Sequence, residues 1–132
     1  MEPEELARIV KYHNKWVEGM PDGVRAELIG IDLSSLDCRG VSLKDADFRD
    51  SNLMNAQFQN SELFQARFAG ADLRGANFTG AKLIAADFSD ADLRGSNFTD
   101  ALLTDADAYR ANLQRCAISK DQLHELLRCT ET

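Results

Sequence analysis

The sequence predicts an all-β solenoid, a stack of short coils closed at each end by a helix. Three observations carry this. From Leu28 to Ile118 a centre that is almost always large and apolar returns at every fifth position, with Cys38 and Ala108 the smaller exceptions. Two positions before each centre, from Ala46 to Ala111, stands Ala or Ser and nothing else. Two positions after it Gly, Asn or Asp dominates, as at Gly40, Asp50, Asn55, Gly75 and Asp90. Helices repeat near 3.6 residues and strands near 2, so a period of five needs another unit: a short extended stretch followed by a corner.

Residues 3–18, PEELARIVKYHNKWVE, place Leu6, Ile9, Val10, His13, Trp16 and Val17 on one helical face. Pro3 suits a first turn, the early glutamates suit the positive end of the helix dipole, and Gly19 with Pro21 ends the element. The chain thus divides into a capping helix and linker over 1–23, the repeat over 24–118 and a second capping helix over 119–132. The first coil carries Ile31, Leu36 and Val41 where later coils carry Ala or Ser, and these larger groups are expected to seat the first helix.

Within the repeat each centre fills the interior. The small residue before it relieves a crowded corner, and the residue after it sits in a turn where Gly, Asn and Asp tolerate left-handed angles. Proline is absent between Val24 and Ile118, so every backbone N–H stays available for bonds between coils. Coils stacked ~4.8 Å apart would pair as parallel strands do. Leu and Phe alternate from Leu43 to Phe98, which favours an even number of sides because like residues then stack on like. After the repeat, Ser119 and Gln122 are spaced as a capping box, followed by Leu123, Leu126 and Leu127 on one helical face.

The motifs ADLRG, ANFTG, ADFSD, SNFTD and ANLQR resemble the pentapeptide-repeat family, and the likeness runs through 24–118. The resemblance implies a right-handed, four-sided parallel β-helix of about four to five coils, one pentapeptide per side, with N- and C-terminal capping α-helices. Family members that dimerise do so end to end through the C-terminal segment, which makes Leu123, Leu126 and Leu127 the candidate homodimer contact. Members similar in fold include gyrase-protecting quinolone-resistance factors, rod-like and acidic and close to duplex DNA in width. The stretch HNKWVEGMPDGVRAELIG looks like the helix that opens bacterial and phage-encoded members. Phage inhibitors of host nucleic-acid-binding defences, CRISPR effectors included, are one setting for a small acidic decoy.

A net charge of −7, from 15 basic and 22 acidic residues, argues against non-specific attraction to nucleic acid or to anionic membranes. No apolar run approaches the ~18 residues that cross a bilayer. The opening MEPEELARIV is acidic where a secretory signal is basic. Three cysteines, Cys38, Cys116 and Cys129, lack CxxC spacing and read as reduced thiols, so a cytoplasmic location is expected.

Nothing in the residue pattern points to catalysis. His13 and His124 belong to opposite caps, and Cys38 and Cys116 take inward positions far apart in the stack. The aspartates do not follow the EF-hand spacing, and ADLRG lacks the Lys-Ser/Thr ending of a phosphate loop. No catalytic residue, metal or cofactor is expected.

Folding the outward positions onto four sides gives two candidate binding surfaces for a protein partner. One is an acidic edge of Asp45, Asp47, Asp50, Asp87, Asp90, Asp105 and Asp107, interrupted by Arg49, Arg67 and Arg110. It suits a DNA-mimicking inhibitor or shield of a nucleic-acid-handling protein. The other is an apolar stripe of Phe64, Ile84 and Leu102, which suits a protein–protein scaffold.

Overall fold

The computed structural model describes residues 1–128; Cys129 and the side chain of Leu127 lie outside the described residues. Helix α1 spans Pro3–Val17 and helix α2 spans Lys120–Arg128. Between them the chain makes single-residue parallel bridges, each joining residues 20 positions apart, from Glu27 with Asp47 up to Asn97 with Ala117. A turn interrupts the chain every five residues, so each coil has four sides. Full coils begin at residues 26, 46, 66 and 86, and a partial coil begins at 106.

Residues 51–55 show why a pentapeptide closes on itself. The Leu53 N–H donates to Asp72 O at 2.8 Å, Asn55 N–H to Arg74 O at 2.9 Å and Asn52 N–H to Ile31 O at 2.9 Å, tying each coil to both neighbours. Ser51 N–H donates to Phe48 O across the preceding corner at 3.3 Å. The fifth donor, Met54 N–H, goes to the side-chain Oδ1 of Asn52 at 3.1 Å. All five backbone donors are thereby paired, the full accounting that a backbone packed on a core requires. The corner residue, Asn55 here, has φ 59°, the one left-handed position that a type II turn demands. The same geometry holds at Gln65, Ala85, Arg110 and Arg115, with φ between 58° and 63°. Stacking imposes the turn even where the residue does not favour it.

Inside, like stacks on like. Phe48, Phe68 and Phe88 form one column, and Phe58, Phe78 and Phe98 the column of the opposite wall, with ring centroids 5.1 Å apart within each column. Rings from opposite columns meet edge to face at 5.7 to 5.8 Å, a favoured aromatic geometry. Leucine columns fill the other two walls: Leu33, Leu53, Leu73 and Leu93, and Leu43, Leu63, Leu83 and Leu103, all buried. The walls are named below after Phe48, Leu53, Phe58 and Leu63.

α1 ends in a Schellman motif, with Met20 N–H donating to Lys15 O, Gly19 N–H to Trp16 O, and Gly19 at φ 76°. Leu6 joins the buried core, and Ile9 and Val10 pack against it. Of the three larger first-coil residues, Leu36 is buried and Val41 packs on the core, but Ile31 stays 41 % exposed. Its corner therefore seats nothing.

At the other end Ser119 and Gln122 exchange hydrogen bonds: Gln122 N–H to Ser119 Oγ and Ser119 N–H to Gln122 Oε1. Leu126 is 1 % exposed. It belongs to the chain's own core and cannot serve as a dimer contact; Leu123 is half-buried.

Candidate protein-binding faces

The acidic edge lies on the Phe48 wall and its preceding corner, and several of its carboxylates already have work within the fold. Asp47 is 2 % exposed. Its carboxylate accepts from Arg49 Nε and Nη2 at 2.8 to 3.0 Å and from Arg49 N–H at 3.1 Å, with Arg67 Nη1 3.7 Å away. Burial pushes its carboxyl upward, yet the Arg49 bonds and the Arg49 and Arg67 charges outweigh that and hold it below the ordinary value. Asp47 is therefore removed from the partner surface: it is a buried, neutralised turn residue.

Asp87 and Asp107 are half-buried, and each Oδ1 accepts the N–H two residues on, from Ser89 at 2.9 Å and Tyr109 at 2.8 Å. Asp90 pairs with Arg110 at 3.2 Å. Asp45, Asp50 and Asp105 make neither an ion pair nor a side-chain hydrogen bond among the described residues.

These bonds explain the Asp or Asn that precedes so many centres. The side chain closes an Asx turn onto the residue after the centre, and it does so at Asp32, Asp37, Asp47, Asn52, Asp72, Asn77, Asp87, Asp92, Asn97, Asp107 and Asn112. In ADLRG the arginine then grips the same carboxylate, as Arg74 does Asp72 at 2.6 and 2.9 Å. The aspartates of this chain are first of all backbone acceptors. The signal was present in the sequence as the fixed place of Asp and Asn one residue before the centre.

The Leu63 wall is different in every coil. The residue before its centre is Ser42, Glu62, Lys82 and Leu102 in turn, never Asp or Asn. The N–H groups of Lys44, Phe64, Ile84 and Thr104 accordingly find no acceptor among the described residues. Up this wall the outward column runs Lys44, Phe64, Ile84, Thr104, with Phe64 and Ile84 half-buried and Leu102 beside them 49 % exposed. Lys44 Nζ sits 5.3 Å from the Phe64 ring centroid and 3.7 Å from Glu62. Lys82 is exposed and has no ion pair among the described residues. Phe64 and Ile84 thus stand one above the other in neighbouring coils, while Leu102 stands over Lys82 in the next column of the same wall.

The remaining titratable groups are dispersed. Cys38 is fully buried, and burial pushes its thiol up to about 12; Cys116 is half-buried, its Sγ donating to Leu93 O at 2.9 Å. His13 is fully buried in α1 and His124 is exposed on α2. Among the described residues no three of His, Cys, Asp or Glu gather as a metal site, and no helix is long and apolar enough to cross a membrane.

A model of pentapeptide repeats, in eight copies, matches residues 26–63, 61–100 and 81–119. The chain belongs to the pentapeptide-repeat family. Pentapeptide-repeat proteins of solved structure resemble it. One, from the Arabidopsis thaliana thylakoid lumen, is 31 % identical over 70 % of this chain and 72 % of its own, with a TM-score of 0.45. Another, from Nostoc Pcc 7120, is 30 % identical over 85 % of this chain and 76 % of its own, with a TM-score of 0.36. A trypsin-treated QnrB1, a plasmid-mediated fluoroquinolone resistance protein, is 26 % identical over 83 % of this chain and 70 % of its own, with a TM-score of 0.27. Comparison with curated proteins gave no match.

Proposed function

We propose that this pentapeptide-repeat protein is a non-catalytic protein-binding module that docks its partner on the Leu63 wall. One observation carries the reading: this wall gives up the Asx lock in all four coils and carries Phe64, Ile84 and Leu102 outward. Exposing apolar side chains costs solubility, and leaving turn donors without an Asx partner forgoes a bond that the other walls make in most coils. A partner surface that buries the stripe and supplies acceptors to the four free N–H groups would offset both.

The acidic-decoy reading is the weaker second. It retains the carboxylates of Asp45, Asp50 and Asp105, for which no ion pair is formed among the described residues. A charge-led contact of exposed groups weakens as salt screens it, whereas an apolar one does not.

Affinity capture from the native host at about 0.1 M and about 1 M salt separates the two. The expected result is a partner retained at high salt and lost with Phe64→Ser plus Ile84→Ser. Loss in salt, together with loss in Asp45→Asn plus Asp105→Asn but not in the apolar double variant, would overturn the stripe in favour of the decoy.

A further inference from the structure

A parallel coil bonds upward and downward, and the first coil has nothing below it. In later coils the carbonyl of the residue after each centre accepts from the coil beneath, as Met54 O accepts Ser35 N–H at 2.8 Å. Lys44 O occupies that place on the first coil, and His13 of α1 fills it: Nε2 donates to Lys44 O at 2.5 Å. The other ring nitrogen, Nδ1, accepts the N–H of Ala26 at 2.8 Å, where the chain enters the solenoid. The ring is fully buried. A neutral imidazole has one donor and one acceptor, and both are used.

We propose that His13 is an acid-sensitive latch, which holds α1 on the first coil while neutral and releases it when protonated. An imidazolium has two donors and no acceptor, so protonation sets the Nδ1 hydrogen against the Ala26 N–H and leaves a charge in a dry site. The charged groups facing the ring are few. Arg25, whose Nε donates to Asp45 O at 2.8 Å and whose guanidinium lies over Trp16, opposes the charge; Asp45, on the first coil, favours it. Burial comes first among the causes that hold the imidazole below its ordinary 6.5, against the opposing pull of the Lys44 carbonyl.

The linkage has a definite sign. A folded value lowered from 6.5 means that the latch is fully closed above 6.5 and weakens as pH falls from there toward the folded value. The step is local because the solenoid's ladder and ring columns do not include α1. Between the start of α1 and the first coil lies a cleft of about 680 Å³, lined by Met1, Leu6 and Val10 on one side and by Leu36 and Val41 on the other. Release would bare that apolar corner and the lower edge of the first coil. Acidification thus switches a second surface on, beyond the Leu63 wall.

Hydrogen exchange at pH 7 and pH 5, corrected for the intrinsic rate, tests the latch in the intact chain. The expected result is a loss of α1 protection of about ten-fold or more, with residues 46–105 unchanged. The loss should set in near 6.5 and level off where the His13 ring of the folded protein titrates, followed by NMR. His13→Gln keeps one donor and one acceptor without titrating, and should hold α1 protection flat. Unchanged α1 protection in the wild type, an equal loss in His13→Gln, a loss that continues below the ring titration, or loss across all coils together would each overturn the proposal.

Discussion

The side-chain amide of Gln122 donates to Ala101 O at 2.9 Å, in the register the backbone itself would have used. Lower in the stack, Asn112 N–H donates to Ala91 O and Ala117 N–H to Ser96 O, each reaching back 21 positions. The next pair in that series is residue 122 with residue 101. The chain has become helical there, and a side-chain N–H takes the place of the main-chain one. Gln122 also donates to Phe98 O at 2.6 Å.

Removing that amide should fray the upper edge. Gln122→Ala is expected to cost about 1 to 3 kcal/mol, because it takes the donor from Ala101 O, leaves Phe98 O with the Ala101 N–H alone, and ends the box with Ser119. Exchange at the amides of Ala101 and Leu102 should rise more than at Ala81 and Lys82, one coil below.

Phe78 stacks on Phe58 and Phe98 and meets Phe68 and Phe88 edge to face. Phe78→Ala should cost about 3 to 5 kcal/mol in a denaturant melt, as a large deletion in a core with rings on every side. A loss under about 1 kcal/mol would mean that the columns collapse to refill the space.

Gly75 and Gly95 occupy the same corner in successive coils at φ 69° and 70°. A Cβ on Gly75 would collide with Asn55 Oδ1, whereas one on Gly95 would meet nothing closer than Gly75 N at 4.0 Å. Gly95→Ala should therefore show the left-handed strain alone, about 1 kcal/mol. Gly75→Val should melt lower than Gly95→Val, the difference measuring the displaced Asn55.

Acid should strip the stem through its aspartates. Arg74 holds the Asp72 carboxyl, and Arg94 the Asp92 carboxyl, below the ordinary 3.8 by hydrogen bonding, and Asp47 is likewise lowered. Groups whose folded value is depressed stabilise above their unfolded value and lose that contribution as pH falls through the folded one. In a His13→Gln background the denaturant midpoint should stay level from about pH 7 to pH 5 and drop below about pH 4. Added salt should shrink the drop, since Asp72 and Asp92 are partly exposed.

The period of five exposed the solenoid because every repeat must satisfy the same neighbours above and below. Leu63 over Leu43 and Phe68 over Phe48 follow directly from the alternation. The aspartates were harder. Counting Asp47, Asp87 and Asp107 as surface charge overlooked that a turn donor lay two residues away from each. His13 left no local mark, because its partners Ala26 and Lys44 are distant in the chain. Ile31 resembled Leu36 and Val41 in composition, but it stays exposed while they are drawn into the core.

Bridges 20 positions apart make this architecture intolerant of uneven editing. Excising one pentapeptide between Phe64 and Ile84 would rotate every later residue by a quarter turn, bringing phenylalanine above leucine and moving Ile84 and Leu102 off the wall of Phe64. Excising or duplicating twenty residues would restore the register and change only the height. Lineages of such chains should therefore grow and shrink by whole storeys, with length itself free to be matched to whatever the tower leans against.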